Sequence, residues 1–218
     1  MSSIKKTIAK QIEELLNFYP GLECYGKNKR HWLVSGPLHF KATFNDKVIE
    51  NCLNLYIIIP DSYPEDLPII KEVRGKKLKG FSHVNPDGTF CLATPIMVRS
   101  KLKESNSLLD FVENLLIPFL FSGFYWKTFS RLPFAAASHG GAGILEEYCI
   151  LLDIHSPDAA KSFLKMLATN FYPLLNTCPC GNKKTLKECH YPRLLELSKL
   201  QSQQEFKFEL DSCVLSKY

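Results

Sequence analysis

Two short stretches concentrate the residue types that do chemistry. The first is Cys178-Pro179-Cys180-Gly181 followed by Cys189-His190, a C-x-C-x8-C-H spacing. Three thiolates and one imidazole complete a tetrahedral zinc shell and leave no position for water, the make-up of a structural rather than a catalytic centre. Gly181 permits the tight backbone turn that such a knuckle needs. Lys183, Lys184 and Lys187 offset the negative charge of a zinc ion held by three thiolates. The plainer account is a set of unliganded thiols, but four ligand types within thirteen residues favour metal. Cys178, Cys180, Cys189 and His190 are therefore expected to hold a structural Zn2+.

The second stretch is His83-Val84-Asn85-Pro86-Asp87-Gly88-Thr89-Phe90-Cys91-Leu92. A cysteine attacks as its thiolate and must be reachable, and Cys91 follows a polar, turn-forming run. The amide of Asn85 can donate to the oxyanion of a tetrahedral intermediate. His83 can serve as base or brace. A donor near a nucleophilic sulfur is what acyl transfer requires, and by itself the constellation is only suggestive of it. The competing account is a cysteine that only packs. Weaker signals remain. The Gly-rich SHGGAG stretch ahead of a helix can seat an anion, though a flexible turn is the better reading, and His139 within it is a remote candidate. The basic run Lys71, Arg74, Lys76, Lys77 and Lys79 reads as a solvated loop face.

The elements that must position these residues follow from periodicity. Ile4, Ile8, Ile12, Leu15 and Tyr19 recur at helical spacing, with Lys5, Lys6, Lys10, Glu13 and Glu14 opposite; Pro20-Gly21 ends that helix. From about Trp32 to Val73 the pattern is extended. Leu53, Leu55, Ile57 and Ile59 alternate up to Pro60, Gly36-Pro37 marks a turn, and IIKEV forms a short strand after DSYPEDLP. Residues 74–107 lack periodicity, as functional loops do. Ser107 caps a helix with Asp110 completing a capping box, and Pro118 should kink or end it. A helix follows SHGGAG, and another starts at Ser156-Pro157 with Phe163, Leu164 and Leu167 inward. PRLLELSKL is helical in pattern, whereas Phe206, Phe208 and Leu210 alternate like a strand, leaving the tail open.

This order of elements resembles the ubiquitin-conjugating enzyme family over roughly residues 1–150: an N-terminal helix, a strand meander, the Tyr63-Pro64-x-x-x-Pro68 turn, an H-x-N tripeptide, then Cys-Leu and a helix. The resemblance implies an α+β ubiquitin-conjugating-enzyme-like fold. It makes Cys91 the thioester-forming cysteine, Asn85 the oxyanion-stabilising asparagine and His83 a loop-bracing histidine. Val84 stands where the family has proline, and six positions separate Asn85 from Cys91, fewer than in the eukaryotic proteins. HVNPDGTFCL followed by SHGGAGILEEY looks closer to bacterial conjugating-enzyme-like proteins, some encoded in antiphage operons of the cyclic-oligonucleotide signalling type. Their implied donor is a cGAS-like nucleotidyltransferase whose C-terminus is carried as the thioester and passed to a target amine such as a lysine. Residues 178–190 are similar to the SEC-C zinc motif. The expected organisation is a conjugating-enzyme-like domain over 1–155 and a helical region over 156–218 bearing the knuckle.

Composition bounds these readings. The chain has 218 residues, 45% apolar and 22% charged, with a net charge of +5. That balance excludes a wholly disordered chain, a collagenous one or a coiled-coil fibre, and it does not demand a nucleic-acid partner. The longest apolar run, Leu115–Trp126, is interrupted by Pro118, Ser122 and Gly123, and the N-terminus lacks the apolar core of a secretory signal. A cytoplasmic protein without a membrane span is expected, in which cysteines are thiols or ligands rather than disulfides. No P-loop or strand-linked G-x-G-x-x-G is present, so activation of the donor falls to a separate activating enzyme or to a preactivated donor. The alternatives are a non-catalytic adaptor on the same fold, or a zinc-knuckle protein that binds nucleic acid or another partner.

Overall fold

A computed structural model describes residues 7–28, 30–103, 105–133 and 138–215. The architecture is α+β, with an antiparallel four-stranded sheet and helices grouped away from it along the chain. The chain divides into two compact units. One comprises residues 1–93 and 101–135, the other 94–100 and 136–218. Helix α5 (Gly140–Leu152) groups with the C-terminal helices.

In the first unit, α1 (Ile8–Phe18) is capped by Thr7, whose side chain accepts from the Lys10 amide. Its buried stripe is Ile12 and Leu15. Ile4, Lys5 and Lys6, expected in the same helix, lie outside the described residues. Strands β1 (Glu23–Lys27), β2 (His31–Phe44), β3 (Lys47–Pro60) and β4 (Ile69–Glu72) form a meander in the order β1-β2-β3-β4. Leu53, Leu55, Ile57 and Ile59 all face the core, as their alternation requires. Asn45 and Asp46, both at positive φ, make the two-residue turn joining β2 to β3, which fixes a register of Phe44 opposite Lys47.

Gly36-Pro37 is not a turn. β2 runs straight through it, with Gly36 opposite Leu55 and Pro37 opposite Asn54. Gly36 has φ +143°, and a Cβ there would lie 2.2 Å from the Gly21 carbonyl oxygen, so glycine is needed for close backbone approach. Pro37 is tolerated because β1 pairs no further than Ser35, which leaves β2 an edge strand at that point.

Pro118 does not end its helix either. α3 (Leu108–Phe111), a π-helical turn (Val112–Leu116) and α4 (Ile117–Phe129) form one continuous run. Proline cannot donate its amide, and the wider turn just before it absorbs the lost hydrogen bond. The start matches expectation: Ser107 accepts from the Asp110 amide at 3.0 Å and donates to its carboxylate at 2.7 Å. By length and composition alone the run Leu108–Phe129 could cross a membrane, but 72% of its most apolar window is buried within the protein, as in a core helix.

The second unit is helical: α2 (Pro95–Lys101), α5, α6 (Pro157–Thr169), α7 (Tyr191–Leu197) and α8 (Gln203–Leu215). Ser156 caps α6 through the Ala159 amide, and Phe163, Leu164 and Leu167 are buried as predicted. Most of SHGGAG is helix, not loop. Gly140 begins α5, and the Glu146 carboxylate accepts from Ser138 N (2.7 Å) and Oγ (2.6 Å), folding Ser138 back over the first turn. A Cβ on Gly143 would sit 1.7 Å from the Ser138 carbonyl oxygen, so the glycine serves packing. The tail is helical too. Phe206, Glu209 and Cys213 form the inward stripe of α8, while Phe208 is exposed.

Candidate functional site

Cys91 is exposed, and the backbone around it is a small hairpin. Val84 bridges Phe90, the Cys91 amide donates to the His83 carbonyl at 2.9 Å, and the Asn85 amide donates to the Thr89 carbonyl at 2.8 Å. Gly88, at φ +83°, closes the turn. Opposed residues in such a pair share a face, and residues two apart on one arm do likewise. His83, Asn85, Thr89 and Cys91 therefore project from one side. Val84 and Phe90 take the other, where Phe90 is buried and stacks on Phe119 at 4.8 Å. That aromatic contact anchors the hairpin and turns the thiol outward. Its second arm is tied to the sheet: the Phe90 amide donates to the Ile70 carbonyl, and Thr89 bridges Lys71. Tyr63 and Pro64 lie in the turn before β4, joined by a cis peptide, with the Tyr63 hydroxyl donating to the Ser107 carbonyl at 3.2 Å.

A chain of polar contacts orients the carboxamide. Asn85 Nδ2 donates to Thr89 Oγ1 at 2.9 Å, and the Thr89 hydroxyl donates to Asp87 Oδ1 at 2.7 Å. The Thr89 amide also donates to Asp87 Oδ1. The Thr89 hydroxyl and amide hold the Asp87 carboxyl below its ordinary range, with Lys71 adding to the effect. Because the hydroxyl points its proton at Asp87, its lone pair faces Asn85, which places the nitrogen end of the amide there. One of the two amide N–H groups is engaged; a carboxamide has a second to offer.

The two best-formed clefts, of about 510 Å³ and 470 Å³, are lined by residues such as Phe18, Tyr19, His39, Phe40 and Ile117, and by none from the Cys91 hairpin. The thiol itself is exposed.

The second cluster is built oppositely. Cys178 is 2% exposed. The ligand atoms of Cys178, Cys180, Cys189 and His190 all lie within 4.8 Å of one another, so the group could hold a metal ion. His190 Nδ1 is 3.3 Å from the Cys178 sulfur and 3.0 Å from that of Cys189, and Cys180 and Cys189 are 3.5 Å apart. Ligands of a tetrahedral zinc are separated by about 3.4–3.8 Å, given bonds of about 2.0–2.3 Å. The set fits an ion of that size. The Cys178 amide donates to the Lys184 carbonyl, Gly181 to that of Cys178, and Thr177 bridges Thr185, which makes the knuckle turn.

Two carbonyls at the C-terminal end of α5 hold the knuckle. His190 Nε2 donates to Leu152 O at 3.0 Å and Arg193 Nε to Leu151 O at 2.9 Å. Both satisfy carbonyls that a helix end leaves without partners. The first also fixes the tautomer, leaving Nδ1 bare towards the sulfurs, the usual arrangement for a ligating histidine. Burial pushes the Cys178 thiol up to about 12. Burial acts upward on Cys180 as well, but hydrogen bonds from the Asn182 amide and the neighbouring thiols outweigh it and lower that group. A buried thiol resists ionising until a cation shares its site, so the cluster suits a metal that displaces protons.

Sequence reasoning missed two polar features. Cys52 Sγ lies 3.3 Å from His39 Nε2, a pairing created by the register of β2 against β3 that no spacing motif announces. In the helical unit, buried Glu209 accepts from Tyr148 Oη (2.7 Å) and Gln201 Nε2 (2.8 Å), while Glu147 accepts from the Thr94 amide and hydroxyl. Burial raises the Glu209 carboxyl despite its two donors. His139 precedes α5 without capping it.

No protein-family model, no curated protein and no solved structure matches the chain.

Proposed function

We propose that the protein is a ubiquitin-conjugating-like acyl carrier with a fold of that class and a zinc-stapled C-terminal region. Cys91 Sγ attacks the activated C-terminal carbonyl of a donor protein. An S–C bond forms, the activating group departs, and the thiol proton goes to solvent or to His83. An amine of the target then attacks the thioester carbonyl, the C–S bond breaks, the amine's proton passes to the departing sulfur or to solvent, and an amide is left with Cys91 regenerated. Asn85 donates to the oxyanion in both steps. The donor is a cGAS-like nucleotidyltransferase in cytoplasmic antiphage defence, activated beforehand or by a separate enzyme.

The observation that carries the reading is an exposed Cys91 opposite His83 in a hairpin that projects Asn85 from the same face. Zn2+ held by Cys178, Cys180, Cys189 and His190 supplies only charge compensation and cross-linking there, since four ligands leave no open position.

Mass spectrometry of the protein incubated with candidate donors, activated and unactivated, tests this. A thiol-sensitive adduct on the peptide containing Cys91, absent from Cys91→Ala, is the expected result. An adaptor would bind its partner equally in that variant and form no adduct, which would overturn the proposal.

A further inference from the structure

The segment Lys71–Lys79 carries five cations against one carboxylate, a local excess of four in a chain whose total is +5. A merely solvated run would be pliant, and this one is held. The Glu72 carboxylate accepts from the Lys77 amide (2.9 and 3.0 Å) and from that of Leu78. Leu78 is 2% exposed and lies over Gly123 of α4, where an added Cβ would come within 2.9 Å of it. Lys127 Nζ donates to the Lys77 carbonyl at 3.0 Å, adding a further cation. The one acid of the segment is thus spent on its backbone. Arg74, Lys76, Lys77 and Lys79 are exposed, and none of them appears in an ion pair among the described residues.

The position of this platform follows from the chain. β4 runs directly into it, and β4 is bonded to the Cys91 hairpin through Phe90 to Ile70 and Lys71 to Thr89. Fixed cations beside a reaction site raise the encounter rate and fix the register of an oppositely charged partner.

Resting on the proposed carrier function, we propose that Lys71–Lys79, with Lys127, docks an acidic extended segment of the donor polypeptide and delivers its C-terminus to Cys91. A polypeptide fits better than a nucleic acid. The platform spans only a few residues, at most about 20 Å from Arg74 to Lys79, whereas a duplex presents a charge every ~1.7 Å along a longer track. The neighbouring aromatic, Trp126, is half-buried and packed on Phe81, so it offers no free face for a base.

The test uses full-length Cys91→Ser protein and a fluorescein-labelled Glu-rich peptide of about twelve residues, which outspans the loop. Anisotropy is expected to show binding that weakens about tenfold or more when Arg74, Lys76 and Lys79 are changed together to Gln. Far-UV circular dichroism checks that this variant is folded, and the single change Lys76→Glu gives a second reading. Lys183, Lys184 and Lys187 changed together to Gln form the charge-matched control, with a loss below about twofold. Equal losses in the two triple variants would mean undirected charge attraction and overturn the inference. So would tighter binding of a single-stranded oligonucleotide of equal charge, or no binding. The two proposals fail separately. Peptide binding without any Cys91 adduct defeats the carrier reading alone. An adduct formed equally fast by the Arg74/Lys76/Lys79 variant, at subsaturating donor, defeats the docking alone.

Discussion

Cys91 lies exposed on a hairpin held by a stacked phenylalanine and a few polar contacts, while Cys178 lies buried among two more thiols and an imidazole. The same side chain is placed for opposite ends. Around Cys178 every donor atom converges inward, and the second nitrogen of His190 is already committed to a helix carbonyl. Around Cys91 the neighbours that could assist chemistry share its outward face. Reactivity needs access, and a cross-link needs enclosure.

The largest effect expected from this contrast is a double dissociation. Cys178→Ser, or chelation of the metal-loaded protein, should lose bound metal and destabilise the helical unit by on the order of 5 kcal/mol or more. Metal analysis and denaturant unfolding followed by circular dichroism measure both. Metal affinity should also fall as pH falls, because protons compete for the thiolates. Cys91→Ala should shift stability by less than about 0.5 kcal/mol yet abolish the adduct. If the two variants behaved alike, the two regions would not have separate roles.

Next in size is the oxyanion donor. Asn85→Ala should slow adduct formation by about 10²-fold, with metal content and unfolding midpoint unchanged. Single-turnover rates at fixed donor concentration decide it. An unaltered rate would remove Asn85 from the chemistry.

Both regions were visible in the sequence because each is local. Ligands within thirteen residues, or a turn-forming run ending in cysteine, need no knowledge of distant contacts. The β3 alternation was readable for the same reason. What escaped depends on long-range packing. Gly36-Pro37 looked like a turn, but close approach by Gly21 and an open edge keep the strand running. Pro118 looked like a stop, yet a π-helical turn accommodates it. In α8 the inward stripe contains Glu209 in place of an apolar residue, so the helical period was hidden and the alternation of Phe206 and Phe208 suggested a strand.

That buried carboxyl gives a third test, of how far the helical unit's stability rests on groups other than the metal. Its folded pKa is raised, mainly by burial. Between the ordinary carboxylate value and the raised one, the folded state binds a proton that the unfolded state has released. Stability from this group therefore falls as pH rises through that window and is level above it. Glu209→Gln should remove the fall, so the difference between variant and parent should grow with pH by on the order of 1 kcal/mol. Denaturant midpoints of metal-loaded protein across the acidic to neutral range would show it. A constant difference would mean that the Glu209 carboxyl titrates alike in the folded and unfolded states.

The smallest expected effect concerns how the hairpin aims its amide. Asp87 touches neither Cys91 nor Asn85 through any contact described, but it accepts the Thr89 proton and so leaves the Thr89 lone pair for Asn85 Nδ2. Asp87→Ala frees the hydroxyl to rotate and lets the carboxamide turn either end outward. Adduct formation should slow by about two- to fivefold, well short of the loss from deleting the amide. Asp87→Asn keeps an oxygen that can accept the same proton and should recover most of the rate. The same pair also separates aim from stability, since Asp87 is fully exposed and its replacement should leave the unfolding midpoint in place. A drop as large as that of Asn85→Ala would make Asp87 a direct participant. No drop at all would mean that Asn85 is held by its backbone alone, and the contrast between an enclosed, cross-linked cluster and a lightly held, outward-facing one would be sharper still.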